Sequence, residues 1–297
     1  ALEPSHKFLL NGSLRLTPRN CLNDPFEILV PKNIKDKYKK IIDTNKFQEY
    51  LDFIGVISLT ETKDNLLMWS HYAREHSGVA FEFDIDLSDP FNFFNFYDFE
   101  KTDLALFSKV FYRKNRSYED ANSKFNAESM ARHYYFTKSD EWLYEKEYRF
   151  VLPFHKATEV TIDISKLPYK ISSRLSDSIK NSKQPQTISC DLLGYEILKD
   201  LWVSSKSTGA IFTIKINESC INSLYVGNNC DTSILKNYLR DEMHNVNTDS
   251  DKIHDLNVSS IVRRFYSPVT NRFFNIYKGA IHPDRYELIF KNAGSRS

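Results

Sequence analysis

Glu145, Glu147 and Arg149 stand two residues apart in the run Trp142-Leu-Tyr-Glu-Lys-Glu-Tyr-Arg-Phe150. On a β-strand that spacing places all three on one face, with Tyr144, Lys146, Tyr148 and Phe150 on the other. Two carboxylates about 7 Å apart beside a guanidinium form a face that can stabilise a cationic, sugar-like transition state, orient a ribose hydroxyl or position an acceptor. The same pattern also describes the solvated face of an edge strand laced by cross-strand ion pairs.

A second set of chemistry-bearing residues lies in Asp64-Asn-Leu-Leu-Met-Trp-Ser-His-Tyr-Ala-Arg-Glu-His76. Helical spacing puts Met68, Trp69, Tyr72 and His76 on one broad stripe and pairs His71 with Glu75. An exposed aromatic with Ser70 and His71 beside it can stack on and hydrogen-bond a flat heterocycle; a core-facing stripe with a polar cap is the plainer reading. Ser70 and His71 do not form a catalytic dyad, because adjacent helical side chains diverge by about 100°. A third segment, Pro18-Arg-Asn-Cys-Leu-Asn-Asp-Pro-Phe-Glu27, reads as a turn: Pro25 holds its predecessor extended, and Asn and Asp bond to nearby backbone. The functional site is expected to be built from Asn23–Glu27, Met68–Ala73 and Trp142–Arg149.

The elements that position these groups are an α+β set: a mixed, mainly antiparallel sheet core with flanking helices. Strands are expected at Ser13–Thr17, Ile54–Leu59, Val79–Phe83, Phe107–Tyr112, Tyr144–Leu152, Val160–Ile164, Ala210–Ile216, Ser223–Val226, Phe273–Tyr277 and Arg285–Phe290. Helices are expected at Glu3–Leu10, Lys32–Phe53, Asp64 to about His76, Tyr118–Lys138 and about Asp231–Leu239. The Ser- and Lys-rich stretch Ser165–Pro185 reads as a mobile insertion, and His244–Asp255 as a polar connection. With no internal repeat and no firm linker, residues 1–297 are taken as a single domain, its core at about 9–230 and an extension at 231–297. The helix at the very start suggests that a strand is missing before Ala1.

Composition narrows the classes. The chain has 40 basic and 39 acidic residues, a formal charge of +1, so nothing global favours a nucleic-acid backbone or an anionic membrane. Cys21, Cys190, Cys220 and Cys230 are far apart with no C-x-x-C pair, which argues for reduced thiols and against a structural zinc site; no metal is expected. No apolar run reaches the ~18 residues of a spanning helix and no leader pattern opens the chain, so a cytoplasmic location is expected.

Taken together, Asn23-Asp-Pro-Phe-Glu27, Met68-Trp-Ser-His-Tyr-Ala73 with His76-Ser-Gly78, and Trp142-x-Tyr-Glu-x-Glu-Tyr-Arg149 resemble the bacterial DUF2971 family, over about residues 9–230. Leu224-Tyr-Val-Gly227 resembles that family's later strand-and-glycine motif. The family label implies no established activity. Glu145-Lys-Glu147-Tyr-Arg-Phe-Val-Leu-Pro153 also resembles the catalytic strand of ADP-ribosyltransferases. That resemblance implies NAD as substrate, with Glu147 on the nicotinamide ribose and Glu145 orienting the acceptor. It further implies Ser58 as the serine-motif residue, Trp69 or Tyr72 as the nicotinamide stack, and as the group gripping NAD either Arg15 or a residue on the strand expected before Ala1. Ser70, His71 and Arg149 complete the expected cofactor-binding set. The leading expectation is therefore an NAD-dependent ADP-ribosyltransferase-like enzyme, a bacterial toxin or antiviral defence effector, acting on an unidentified protein or nucleic-acid acceptor without a membrane partner. One alternative is a non-catalytic binding module of a defence or regulatory assembly, with Arg149 paired to Glu27 or Glu147 and Trp69 and Trp142 buried. A further one is a metal-independent nuclease or nucleotide hydrolase using His71 with Glu145 or Glu147.

Overall fold

The computed structural model describes residues 12–28, 32, 36, 51–94, 105–116, 127–231, 264–267 and 272–292. The expected helix Glu3–Leu10, all but the first residue of the expected helix Asp231–Leu239, the polar stretch His244–Asp255, and most of Lys32–Phe53 lie outside those residues. The fold is α+β, with mainly antiparallel sheets and helices beside them. The chain divides into two compact units, each assembled from separate segments: residues 14–61 with 97–215, and residues 1–13 with 62–96 and 216–297.

In the first unit the central sheet runs Thr17–Pro18, Ile54–Thr60, Glu147–Pro153, Leu106–Lys109, antiparallel throughout. Ile54–Thr60 and Glu147–Pro153 pair over seven residues, with Ser58 opposite Arg149 and Thr60 opposite Glu147. Alternation in Glu147–Pro153 sends Glu147, Arg149 and Val151 to one face, where Val151 joins Tyr134, Tyr135, Met130 and Leu51 in a buried cluster. The helix Ala127–Tyr135 supplies three of those side chains. A second sheet orders Ser13–Arg15, Ile211–Lys215, Glu159–Ile162 and Gln186–Ser189. It is joined by the helix Tyr195–Val203, whose Leu198, Leu201 and Trp202 are buried.

Three expectations change here. Tyr118–Lys138 is not one helix to its end: Ala127–Tyr135 is helical, but Thr137–Lys138 is a short strand running parallel to Phe111–Tyr112. Aromatic and β-branched residues at its end favour extended pairing over another helical turn. The Tyr144–Leu152 strand begins only at Glu147, because Asp140–Glu145 coils as a 3-10 helix capped by the Ser139 hydroxyl and closed by Lys146 in left-handed conformation. Ser165–Pro185 holds the short helices Tyr169–Ser172 and Asp177–Lys180, anchored by the buried Ile171 and Leu175. The four thiols are free, and burial pushes Cys190 up to about 12, so that thiol stays protonated.

The second unit centres on the strand Ile221–Val226, antiparallel to Val79–Phe83 and parallel to Arg272–Ile281. Arg272–Ile281 also pairs antiparallel with Arg264–Ser267 and with Leu288–Asn292. The helix expected from Asp64 starts one residue later, at the N-cap Asn65, whose side chain accepts from Leu67 and Met68 N–H, and it runs only from Leu66 to Tyr72. Arg74, Glu75 and His76 then take φ of 47°, 51° and 67°, a left-handed turn that ends the expected stripe before His76. Each such residue costs roughly 1–2 kcal/mol, so the surroundings must impose the turn. Gly227 does so: its N–H donates to Gly78, the Asn229 N–H donates to the His76 carbonyl, and a Cβ at position 227 would lie 2.0 Å from that carbonyl oxygen. Gly227→Ala should therefore lower unfolding stability by about 2–3 kcal/mol in denaturant titration; a loss below about 0.5 kcal/mol would show that the turn is not locked here.

Candidate functional site

Asn23–Glu27 is a turn built by Asp24. Its Oδ1 accepts the Phe26 N–H at 2.8 Å and its carbonyl accepts the Glu27 N–H at 3.1 Å. The resulting 3-10 turn Pro25–Ile28 sends Phe26 outward, 55% exposed, and Glu27 inward, 7% exposed. Glu27 meets the strand Glu147–Pro153, where Arg149 is 1% exposed and donates from Nη2 to Glu27 Oε1. Arg149 also binds Glu147 through Nε at 2.7 Å and Nη2 at 2.9 Å, and donates from Nη1 to the Tyr135 carbonyl at 2.7 Å. A guanidinium presents its donors in one plane, and this fork uses them on two carboxylates and one carbonyl.

Lys138 extends the network. The parallel pairing of Phe111–Tyr112 with Thr137–Lys138 sets Lys138 beside Tyr112. Lys138 Nζ donates to Glu145 Oε2 at 2.6 Å and lies 3.6 Å from Glu147 Oε2. Tyr112 Oη accepts the Glu147 backbone N–H at 2.8 Å. Burial pushes the Tyr112 phenol up to about 12, so it remains neutral. Trp142, half-buried, lies under the Lys138 ammonium at 4.6 Å from its ring centroid. Glu145 is thus not on the strand face with Glu147 and Arg149, as the two-residue spacing suggested; it reaches the cluster from the end of a 3-10 helix.

Among the described residues, three carboxylates and two cations meet in this buried cluster. Burial raises the Glu147 carboxyl, but Arg149, Lys138 and the Ser58 hydroxyl outweigh it and hold Glu147 below its ordinary value. Burial dominates at Glu27, which has one bond to Arg149 and Glu147 as a like-charged neighbour, and raises it. Arg149 itself is raised by both acids in spite of its burial.

The expected site residues fall in both units. Glu145, Glu147, Arg149 and Ser58 come together in the first; Ser58 is exposed and hydrogen-bonds the buried Glu147 from the neighbouring strand. Arg15, in the same unit, is exposed at the end of Ser13–Arg15 and hydrogen-bonds the Cys21 thiol. Trp69, Ser70, His71 and Tyr72 belong to the second unit. Trp69 is 3% exposed, packs at 5.7 Å from Phe290 and donates to the Lys63 carbonyl, so it is a core residue rather than a stacking platform. Ser70, His71 and Tyr72 are exposed, and the His71 and Tyr72 rings meet edge to face.

Residues 68–150 match the family model described as "Protein of unknown function (DUF2971)". Over this stretch, 68–150 of 297 residues, the chain is similar to that family. No curated protein and no solved structure matches the chain. The matched segment carries Lys138, Glu145, Glu147 and Arg149, whereas Glu27 comes from outside it.

Sequence reasoning missed Lys138 and the buried Arg19, which binds Asp52 and donates to Tyr134 Oη at 3.1 Å. It also missed a pocket of about 200 Å³ beside the cluster. The buried Asp24, Glu27, Tyr134 and Lys138 line it, with Arg113 and Lys114 exposed at its edge. Arg113 and Lys114 follow directly on Phe111–Tyr112, and their succession in the sequence was the available signal.

Arg149→Met should cost about 3–5 kcal/mol near neutral pH, because it strands two buried carboxylates. Glu147 is depressed in the folded protein, so its contribution is present above its ordinary value of 4.5 and is lost as pH falls through the lower folded value. Without Arg149, protonation instead relieves the stranded acids. The gap between wild type and variant should narrow as pH drops below about 4.5, read from denaturation at several pH values. A gap that is constant with pH would contradict the network.

Proposed function

We propose that this protein is a non-catalytic binding module in which the three motifs serve structure rather than bond-breaking chemistry. One observation carries the reading: Glu145 and Glu147 are each 4% exposed and already engaged by Lys138 and Arg149. A carboxylate that stabilises a glycosyl cation must face the substrate and have capacity to spare when charge develops. Glu147 accepts two bonds from Arg149, lies within ion-pair distance of Lys138 and takes the Ser58 hydroxyl as well. A network of this kind holds a strand and a turn in fixed relation and leaves the adjoining surface for recognition.

NAD turnover tests the reading. Wild-type protein and Glu147→Gln, incubated with NAD and several protein and nucleic-acid acceptors, should release no nicotinamide above a protein-free control by chromatography. Glu147→Gln should lower Tm by about 5 °C, the mark of a structural carboxylate. Nicotinamide release by wild type that disappears in a folded Glu147→Gln would establish the transferase instead.

A further inference from the structure

The pocket beside the buried cluster has two chemically distinct ends. Inside are Asp24 and Glu27, both acids, and the cluster behind Glu27 gathers Glu145 and Glu147 around Lys138 and Arg149. Asp24 is 1% exposed, and its Oδ2 has no hydrogen-bond partner among the described residues. A buried carboxylate oxygen without a donor costs roughly 1–3 kcal/mol or more, so the fold retains an acceptor that it does not satisfy. Asp24 lines the pocket, and its turn uses only Oδ1.

The outer end is basic. Arg113 is fixed by its backbone N–H, which donates to the Lys138 carbonyl at 2.9 Å. The side chains of Arg113 and Lys114 are exposed. Between the two ends lies Phe26, 55% exposed, with the Arg116 guanidinium 5.5 Å from its ring centroid. Arg116 also donates to the Phe26 carbonyl, which ties the ring to the pocket wall.

We propose that this pocket is a nucleoside-phosphate site. The inference rests on the binding-module reading and names its ligand class. Ribose hydroxyls or an exocyclic amine donate to Asp24 Oδ2, the phosphate sits on Arg113 and Lys114, and the base lies against Phe26. A ligand that is anionic throughout is disfavoured by the acidic inner end, and one that is cationic throughout by the basic outer end. A nucleoside phosphate has donors at one end and negative charge at the other.

Isothermal calorimetry on the full chain, with AMP, adenosine and inorganic phosphate as separate probes, tests the assignment. AMP should bind more tightly than adenosine or phosphate alone. Arg113→Ala with Lys114→Ala, both at exposed positions, should weaken AMP at least about tenfold and leave adenosine unchanged. Asp24→Asn keeps the turn acceptor; it should weaken AMP and adenosine together and leave phosphate unchanged. No AMP binding by folded protein at millimolar concentration would overturn the site, as would AMP binding unaffected by all three substitutions. Either result leaves the binding-module reading standing, whereas NAD turnover would remove that reading whatever the calorimetry shows.

Discussion

A guanidinium taken out of water must find nearly all its hydrogen bonds in the protein, and Arg149 does so on a β-strand with 1% of its surface exposed. Its partners fix three pieces of chain at once. Glu147 is two residues away on the same strand, the Tyr135 carbonyl closes the helix Ala127–Tyr135, and Glu27 ends the inward side of the Asn23–Glu27 turn. Ion pairs of this type contribute little net stability compared with apolar packing, since desolvation consumes most of the attraction. Their larger effect is on the alternatives. A one-residue slip of Glu147–Pro153 against Ile54–Thr60 would point Tyr148 or Phe150 at the acids and turn Arg149 away, leaving buried carboxylates unpaired.

The surplus of carboxylates gives the cluster its asymmetry. Glu147 has two bonds from Arg149 and Lys138 nearby and stays ionised readily; Glu27 has one bond and is raised. The less satisfied acid is the one that lines the pocket, next to an aspartate whose second oxygen has no partner among the described residues. Cations that would balance those charges stand at the pocket edge instead of in the cluster. On the proposed reading the interior is set for shape and the edge for recognition, with the exposed Phe26 beside the buried Glu27.

Much of this was legible in the chain. Ile54–Leu59 and Val79–Phe83 read as strands from β-branched and apolar runs and are strands, extended by Thr60 in the first. Treating the motifs as core led to Arg149 paired with Glu27 or Glu147, where the structure has both, and to buried Trp69 and Trp142, of which Trp69 is buried and Trp142 only half-buried. Two-residue periodicity failed at Glu145, because Ser139 caps a 3-10 turn and Lys146 adopts a left-handed conformation that resets the phase. Helical periodicity failed at His76 for a related reason: the Asn229 N–H, some 150 residues on, bonds the His76 carbonyl of the turn Arg74–His76, and Gly227 leaves room for that carbonyl, contacts no local pattern encodes. Lys138 and Arg19 were invisible as buried cations because their burial depends on partners in Glu145, Glu147, Asp52 and Tyr134 that only the tertiary fold supplies.

The account turns on whether Arg149 and Glu27 are energetically coupled across the chain that separates them. A double-mutant cycle with Arg149→Met and Glu27→Gln, read by equilibrium unfolding near pH 7, measures this directly. The network predicts strong non-additivity, with a coupling energy of at least about 1.5 kcal/mol, since either change alone strands the other's partner. Additivity within about 0.3 kcal/mol would mean that the turn and the strand do not share this charge, and the central constraint would be wrong.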